Sequence, residues 1–411
     1  MTGDTSQDLH LWKLRMWMMN AITLMFAVAF NSTSSVLSQY AVLEFDATPI
    51  QVGILWASFF IISIFTRPIS GIASDSGYRF RLLILGASMF TMSSAIYLFA
   101  SNFGYLIIAR LFQGLSQGIF TTSAFSFVAY EASIHMEYFE ESLAWRSAMF
   151  GLGTIIGPAL GGYIISFYGF TQAFAIVTVI GIIVIFAVWT MAKITKTDES
   201  LLIFNYKRNK VKVRVKNNRP SLISKTKEVF NLPSFRKAVI SLFLYNVGYI
   251  SITSFLPAFY ATRFGKDSGI IIGNCLAIIG VSSLIPRIMS GKLSKRLSSY
   301  KIAVFGLLML SISLFFLGLL SLPPYVYVVS IIIGIGLGFV IPSLQILALA
   351  DVKSSEKGMA TGLYILGFDS ANLMAPIIFG TIGNVYGYEL VLQTTFIPVT
   401  IAFIYLIIAR R

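Results

Sequence analysis

Long, uninterrupted apolar runs constrain this chain more than any other feature. They lie at about 17–41, 50–69, 82–100, 104–128, 143–165, 172–192, 238–260, 270–290, 302–321, 325–350, 359–382 and 389–408. Each is long enough to cross a bilayer as a helix, which takes roughly 20 residues. Hydrocarbon offers no water to backbone N–H and C=O groups, and a helix satisfies them within one segment. A β-barrel would need short alternating strands, whereas these runs are continuous. The expected fold is therefore all-α integral membrane, with twelve transmembrane helices. Composition points the same way. The chain is 56% apolar and only 12% charged, about half the usual charged share. That is too little charge to cover a soluble surface, which excludes a soluble enzyme and a disordered chain. The first run begins near Trp17 and is too long for a signal-peptide core, so no cleaved leader is expected.

Twelve spans put both termini on one side, and the basic residues say which. Counted as cytoplasmic, that side holds Lys13, Arg15, Arg79, Arg81, Lys292, Lys295, Arg296, Lys301, Lys353, Lys357, Arg410 and Arg411. It also holds segment 193–237, with 13 Lys and Arg against Asp198, Glu199 and Glu228. The opposite loops hold Arg263 and Lys266. This asymmetry predicts a multi-pass plasma-membrane protein with both termini cytoplasmic. The net charge of +14 then reads as topology, so no nucleic-acid partner is expected. The strip Lys207–Lys216 suits anionic inner-leaflet lipid better. Its alternation of Val with Lys and Arg over Lys210–Lys216 fits a short strand or an extended surface segment. The polar stretch divides the chain into an N-terminal bundle 1–192, a basic cytoplasmic linker 193–237 and a C-terminal bundle 238–411.

The two bundles share a register. Shifting the chain by 220 residues places Tyr40-Ala41, Arg67, Ser70, Gly71, Gly86, Gly114 and Gly118 on Tyr260-Ala261, Arg287, Ser290, Gly291, Gly306, Gly334 and Gly338. A shift of 218 places Pro158, Gly162 and Tyr168-Gly169 on Pro376, Gly380 and Tyr386-Gly387. Such parallel six-helix repeats mark a transporter whose halves rock about a central site.

Four motifs on this frame resemble those of the major facilitator superfamily, and the likeness covers nearly the whole length. Gly71-Ile-Ala-Ser-Asp75-Ser-Gly-Tyr-Arg79-Phe-Arg81 resembles the family's G-x-x-x-D-R-x-G-R-R gating loop, with Ser76 and Tyr78 departing from it. Gly71 is expected to let two helices approach closely. Asp75 is expected to act as a charge latch at a helix N-terminus of the other half. Arg110-Leu-Phe-Gln113-Gly114-Leu-Ser-Gln117-Gly118 is similar to R-x-x-Q-G-x-x-x-G, whose Arg the resemblance associates with proton transfer or substrate contact. A structural bond from Arg110 to backbone carbonyls is the alternative. Gly153-Thr-Ile-Ile-Gly157-Pro158-Ala-Leu-Gly161-Gly162 looks like the antiporter motif of proton-coupled exporters. Physically it shows a kinked, closely packed helix; export is what the resemblance implies. Lys357-Gly-Met-Ala-Thr-Gly362 resembles the R-G-x-A-x-G of a helix start. The whole is similar to the 12-span drug or metabolite:proton antiporter branch, with its two pseudo-symmetric six-helix bundles.

Charge inside the membrane is costly and functional by default. Arg110 is one such group. Asp369, ten residues past Met359, is the other, about 15 Å into its span. It could carry a proton, pair with Arg110, bind a cationic group, or bond locally to Asn372 or Ser370. In the resembling family, spans one, four, seven and ten line the cavity. Here these spans carry Asn31, Ser35 and Gln39; Arg110, Gln113 and Gln117; Tyr245, Asn246 and Ser254; and Pro342 and Gln345. Arg110, Gln113 and Gln117 share one helical face, which suits a wet stripe. Most of the aromatics read as lipid-facing or interfacial, and no aromatic cage is assigned. Glu44, Asp46 and Glu131 read as loop charges. Cys275 reads as packing.

No phosphate loop, nucleophile elbow or metal-ligand cluster is present in the sequence, so ATP-driven, hydrolase and zinc-protease readings are weak. The expected protein has no cofactor or metal, draws on the proton gradient, and is a monomer in the bilayer. It handles protons and a small molecule: efflux of a small amphiphile by alternating access about a site between the halves. The alternatives are an uptake symporter for an organic anion or sugar, or a non-transporting membrane sensor or assembly partner.

Overall fold

The computed structural model describes residues 4–74, 78–194, 222–294, 296–353 and 357–409. The helices are α1 (Asp4–Phe45), α2 (Pro49–Ala73), α3 (Arg79–Leu98), α4 (Phe103–Ile134), α5 (Phe139–Tyr168) and α6 (Phe170–Ile194). A short α7 (Leu222–Asn231) precedes α8 (Pro233–Phe264), α9 (Ser268–Leu293), α10 (Ser299–Leu319), α11 (Tyr325–Leu349), α12 (Lys357–Thr394) and α13 (Phe396–Ile408). Every predicted apolar run falls mainly on helix, the last divided at Thr395 between α12 and α13. Among the described residues, nine helical stretches are long and apolar enough to cross a membrane. One is the 58-residue stretch Pro233–Ser290, which the turn Gly265–Asp267 divides into α8 and α9. The strip Lys207–Lys216 and its predicted strand lie outside the described residues. Segment 193–237 contributes α7 and the first turn of α8.

The chain divides into two compact units. Unit 1 comprises Met1–Tyr40 and Ser58–Val211; unit 2 comprises Ala41–Ala57 and Lys212–Arg411. Within unit 2, the turn joining α1 to α2 is tied down from two sides. The Tyr388 hydroxyl donates to the Ala47 carbonyl over 3.4 Å, and Lys266 Nζ lies 3.8 Å from Glu44 Oε1.

The sequence repeat reappears as repeated contacts inside each unit. In unit 1, a Cβ on Gly114 would lie 2.5 Å from the Phe59 carbonyl oxygen, and one on Gly118 would lie 3.4 Å from the Arg67 amide. In unit 2, Gly334 meets the Ile279 carbonyl, and a Cβ on Gly338 would lie 3.2 Å from the Arg287 amide. All four pairs obey the 220-residue shift. Gly86 against Phe120 and Gly306 against Val340 obey it too, each 2.8 Å from its nearest atom. Only hydrogen at these positions lets α2 and α3 close on α4 in one unit, and α9 and α10 on α11 in the other. The breaks repeat as well. Gly169 ends α5 at φ 92 and ψ 176, and Gly387 kinks α12 at φ 83 and ψ 167. This region of backbone space is almost closed to residues with a Cβ, and the two glycines are partners under the 218 shift.

Candidate functional site

In unit 1 the candidate groups gather around α4. The Gly114–Phe59 contact brings α2 close enough for the Phe59 ring to lie 5.6 Å from the Arg110 guanidinium. Arg110 Nη1 donates to Gln113 Oε1 over 2.9 Å, and the Tyr97 hydroxyl donates to the same oxygen over 3.2 Å. Arginine has donors only, so the glutamine must turn its oxygen toward it. Tyr97 is itself held, because the Tyr40 hydroxyl donates to its carbonyl over 3.1 Å. Tyr40 on α1, Tyr97 on α3, and Gln113 and Arg110 on α4 thus form one connected chain. The expected wet stripe is divided. Arg110 and Gln113 are buried because Phe59 and Tyr97 close over them, whereas Gln117 is half-buried.

The antiporter-like glycines seat α5 on α1. A Cβ on Gly157 would come 2.8 Å from Asn31 Cβ, and one on Gly161 would come 2.5 Å from the Ser32 carbonyl. Gly153 meets Ala27 in the same manner. Ser32 Oγ donates to the Gly157 carbonyl over 2.8 Å, and Asn31 Nδ2 donates to Ala27 O over 2.7 Å. Pro158 and Gly162 are buried beside this seam, and Gln39 is buried farther along α1.

The gating loop departs from expectation in one respect. A Cβ on Gly71 would sit 3.6 Å from Thr122 Cγ2, an ordinary contact, so Gly71 is not the glycine of closest approach. Gly114 and Gly118 take that role on the α4 side of the same interface. Asp75 lies outside the described residues, as does Lys295. Arg79 lies 4.0 Å from the Tyr130 ring centroid, with its Nε donating to Ser126 Oγ over 3.4 Å. Arg81 lies 5.7 Å from the Tyr78 ring.

Unit 2 holds the second group. Tyr245 and Asn246 on α8 are buried. Asn246 Nδ2 donates to Asn372 Oδ1 over 2.7 Å and to the Phe368 carbonyl over 3.2 Å. Asp369 is 2% exposed and stands on the same turn of α12 as these two acceptors. The Ser370 hydroxyl, a candidate local partner of Asp369, donates to Leu366 O instead, over 2.7 Å. Gln345 is exposed on α11.

Three features escaped the sequence. Glu131, read as a loop charge, is buried; its carboxylate lies 3.8 Å from Arg15. α4 continues as helix through Ile134 and carries it inward. Arg146 on α5 donates to the Thr121 carbonyl over 2.9 Å, a second basic residue drawn onto α4. An aromatic cluster that the sequence did not single out also joins α1 to α5, with the Trp17 and Trp145 rings 5.5 Å apart. The helical N-terminus from Asp4 brings Trp12, which precedes the first apolar run, and Trp17, at its start, against the beginning of α5.

Glycine-seated helix pairs, a twofold repeat and charged groups buried on apolar helices define a polytopic membrane transporter. The comparisons give the family. The model of the Major Facilitator Superfamily matches residues 19–376, and the chain belongs to that family. Multidrug resistance protein 1 of Bacillus subtilis is 23% identical, covering 81% of this chain and 81% of that protein. The class B tetracycline resistance protein of Escherichia coli is 24% identical, covering 81% and 79%. Among solved structures, a bacterial homolog of the human lysosomal transporter Spinster, inward-facing and unoccupied, superposes with a TM-score of 0.78 at 14% identity, covering 97% of each chain.

Proposed function

We propose that this transporter exports a small amphiphilic molecule, a drug-like compound or secreted metabolite, in exchange for protons by alternating access. It works as a monomer in the plasma membrane with both termini cytoplasmic, and it uses the proton gradient with no cofactor. The observation that carries the reading is the likeness, along four-fifths of the chain, to two resistance proteins. A transporter that confers resistance does so most directly by carrying the compound out. The α5 seam of Gly153, Gly157, Pro158 and Gly161 supports it. Arg110 in unit 1 and Asp369 in unit 2 are the charged players, each placed where charge is costly unless used. Gln113, Gln117, Asn31, Gln39, Tyr245, Asn246 and Gln345 are the polar contacts. Proton entry discharges Asp369 and weakens its hold on the substrate or on a cationic partner, which releases the substrate outward.

The test is metabolite profiling of cells lacking the gene, cells with it restored, and cells restored with Arg110→Ala, in extract and in medium. Export predicts a compound that accumulates inside the deletion strain and disappears from its medium. A compound left behind in the medium would mean uptake and overturn the reading.

A further inference from the structure

Unit 1 contains a cavity of about 280 Å³ where the N-terminal part of α1 crosses the start of α5. It is remote from the Arg110 cluster. Asn20, in its wall, and Tyr40, which begins the chain to Arg110, lie 20 residues apart on one helix, or about 30 Å. Three of the five tryptophans of the protein line it.

The walls are fixed rather than incidental. Trp12 is buried, its Nε1 donating to the Glu131 carbonyl over 2.9 Å, its ring edge-on to His135 at 4.9 Å and 5.4 Å from Tyr138. Trp17 and Trp145 face each other at 5.5 Å and form the rim. Trp145 Nε1 points at Glu141 Oε1 across 3.3 Å, which places that carboxylate at the mouth. Deeper in, Asn20 is 5% exposed, and its Oδ1 is buried without a hydrogen-bond partner among the described residues. A buried acceptor left empty costs free energy, so this one suits a donor that the described residues do not supply.

Aromatic faces carry negative potential and attract cations. Lys13 Nζ already lies 5.8 Å from the Tyr138 ring in this lining; the remaining indole faces, the Glu141 carboxylate and the unpaired carbonyl oxygen suit a positive group that also bears N–H. We propose that this cavity binds a protonated amine: the ammonium donates to Asn20 Oδ1, Glu141 supplies the counter-charge, and an apolar body lies between Trp12, Trp17 and Trp145. A quaternary ammonium of equal size has no N–H and is the poorer ligand. The ammonium could come from a free amine or from the ethanolamine headgroup of a lipid, whose phosphate Lys13 at the same rim would meet. The site is independent of the direction of transport.

The experiment titrates the full-length protein, in phosphatidylcholine nanodiscs, with 2-phenylethylammonium, its N-trimethyl analogue and neutral 2-phenylethanol, following tryptophan emission. The expected result is a saturable change with the primary ammonium and affinity about tenfold weaker for each analogue, the loss of one charge-assisted hydrogen bond. Glu141→Gln and Asn20→Ala should each weaken the primary ammonium similarly, and Glu141→Gln should leave the weak response to the alcohol unchanged. Both variants are to show the wild-type elution volume and unfolding temperature, and Glu141→Gln, at an exposed position, keeps the test open if Asn20→Ala does not fold. Adding phosphatidylethanolamine to the nanodiscs separates the sources: a headgroup site loses apparent affinity for the probe in proportion, and a free-amine site does not. Equal responses to all three probes, or binding untouched by Glu141→Gln, would overturn the proposal.

Discussion

Arg110 and Gln113 stand one helical turn apart on α4 and meet as donor and acceptor over 2.9 Å, both buried. The pair fixes the orientation of the only arginine among the largest fully buried side chains of the described residues. Gln113 Oε1 also receives the Tyr97 hydroxyl, so one oxygen serves two donors. Gln113→Leu removes that acceptor from both at similar volume. The expected loss is about 1–3 kcal/mol of stability, read as a lower unfolding temperature in detergent. Gln113→Glu keeps the acceptor and should restore most of it. Unchanged unfolding in Gln113→Leu would refute the role of this oxygen.

The repeated glycine contacts predict paired effects in the two units. Gly118 and Gly338 each face the backbone of a helix that is 220 residues displaced from the other's partner. Replacing either with Ala forces helices apart and should cost about 1–3 kcal/mol. Gly151, half-buried on α5, has nothing within 4 Å of an added Cβ. Gly151→Ala should be neutral or stabilise by up to about 1 kcal/mol, the helix-propensity gain. Thermal unfolding of the three variants checks the ordering.

That register shows how much of the fold the sequence holds. Membrane spans declare themselves because hydrocarbon allows no other backbone solution, and glycines at a fixed shift declare which helices touch, because contact needs their missing side chains. The pair Arg110–Gln113 is legible from its i, i+3 spacing. Its surroundings are not: Phe59, Tyr97 and Tyr40 come from three other helices, and apolar periodicity does not say which aromatic closes over which polar group. The tryptophan cavity was hidden for a different reason. Trp12 precedes the first apolar run, so only the continuation of α1 back to Asp4 brings it against α5. Glu131 was misread because the apolar run ends at about residue 128 while the helix does not.

Topology is testable with the single natural cysteine removed. Cys275 is buried, and Cys275→Ala leaves a silent background. In it, Lys266→Cys should react with a membrane-impermeant maleimide on intact cells, whereas Lys301→Cys should react only after permeabilisation. Both lysines are exposed at helix ends, so reactivity reports sidedness rather than burial. The reverse pattern would invert the orientation that the basic residues imply.

Replacing Asp369 tests whether proton coupling can be separated from substrate movement. Asp369 is buried on the α12 turn that Asn246 engages through Phe368 and Asn372, so a neutral amide of the same shape fits without repacking. Asp369→Asn removes the group proposed to alternate between charged and neutral while leaving the neighbouring amide pair in place. Proteoliposomes containing this variant should lose transport driven by a pH gradient, by about tenfold or more, the factor typical of a missing proton-transfer group. Exchange of labelled for unlabelled substrate needs no net proton movement and should continue near the wild-type rate. Retention of gradient-driven transport would remove Asp369 from the coupling mechanism. Loss of exchange as well would make it a substrate contact instead.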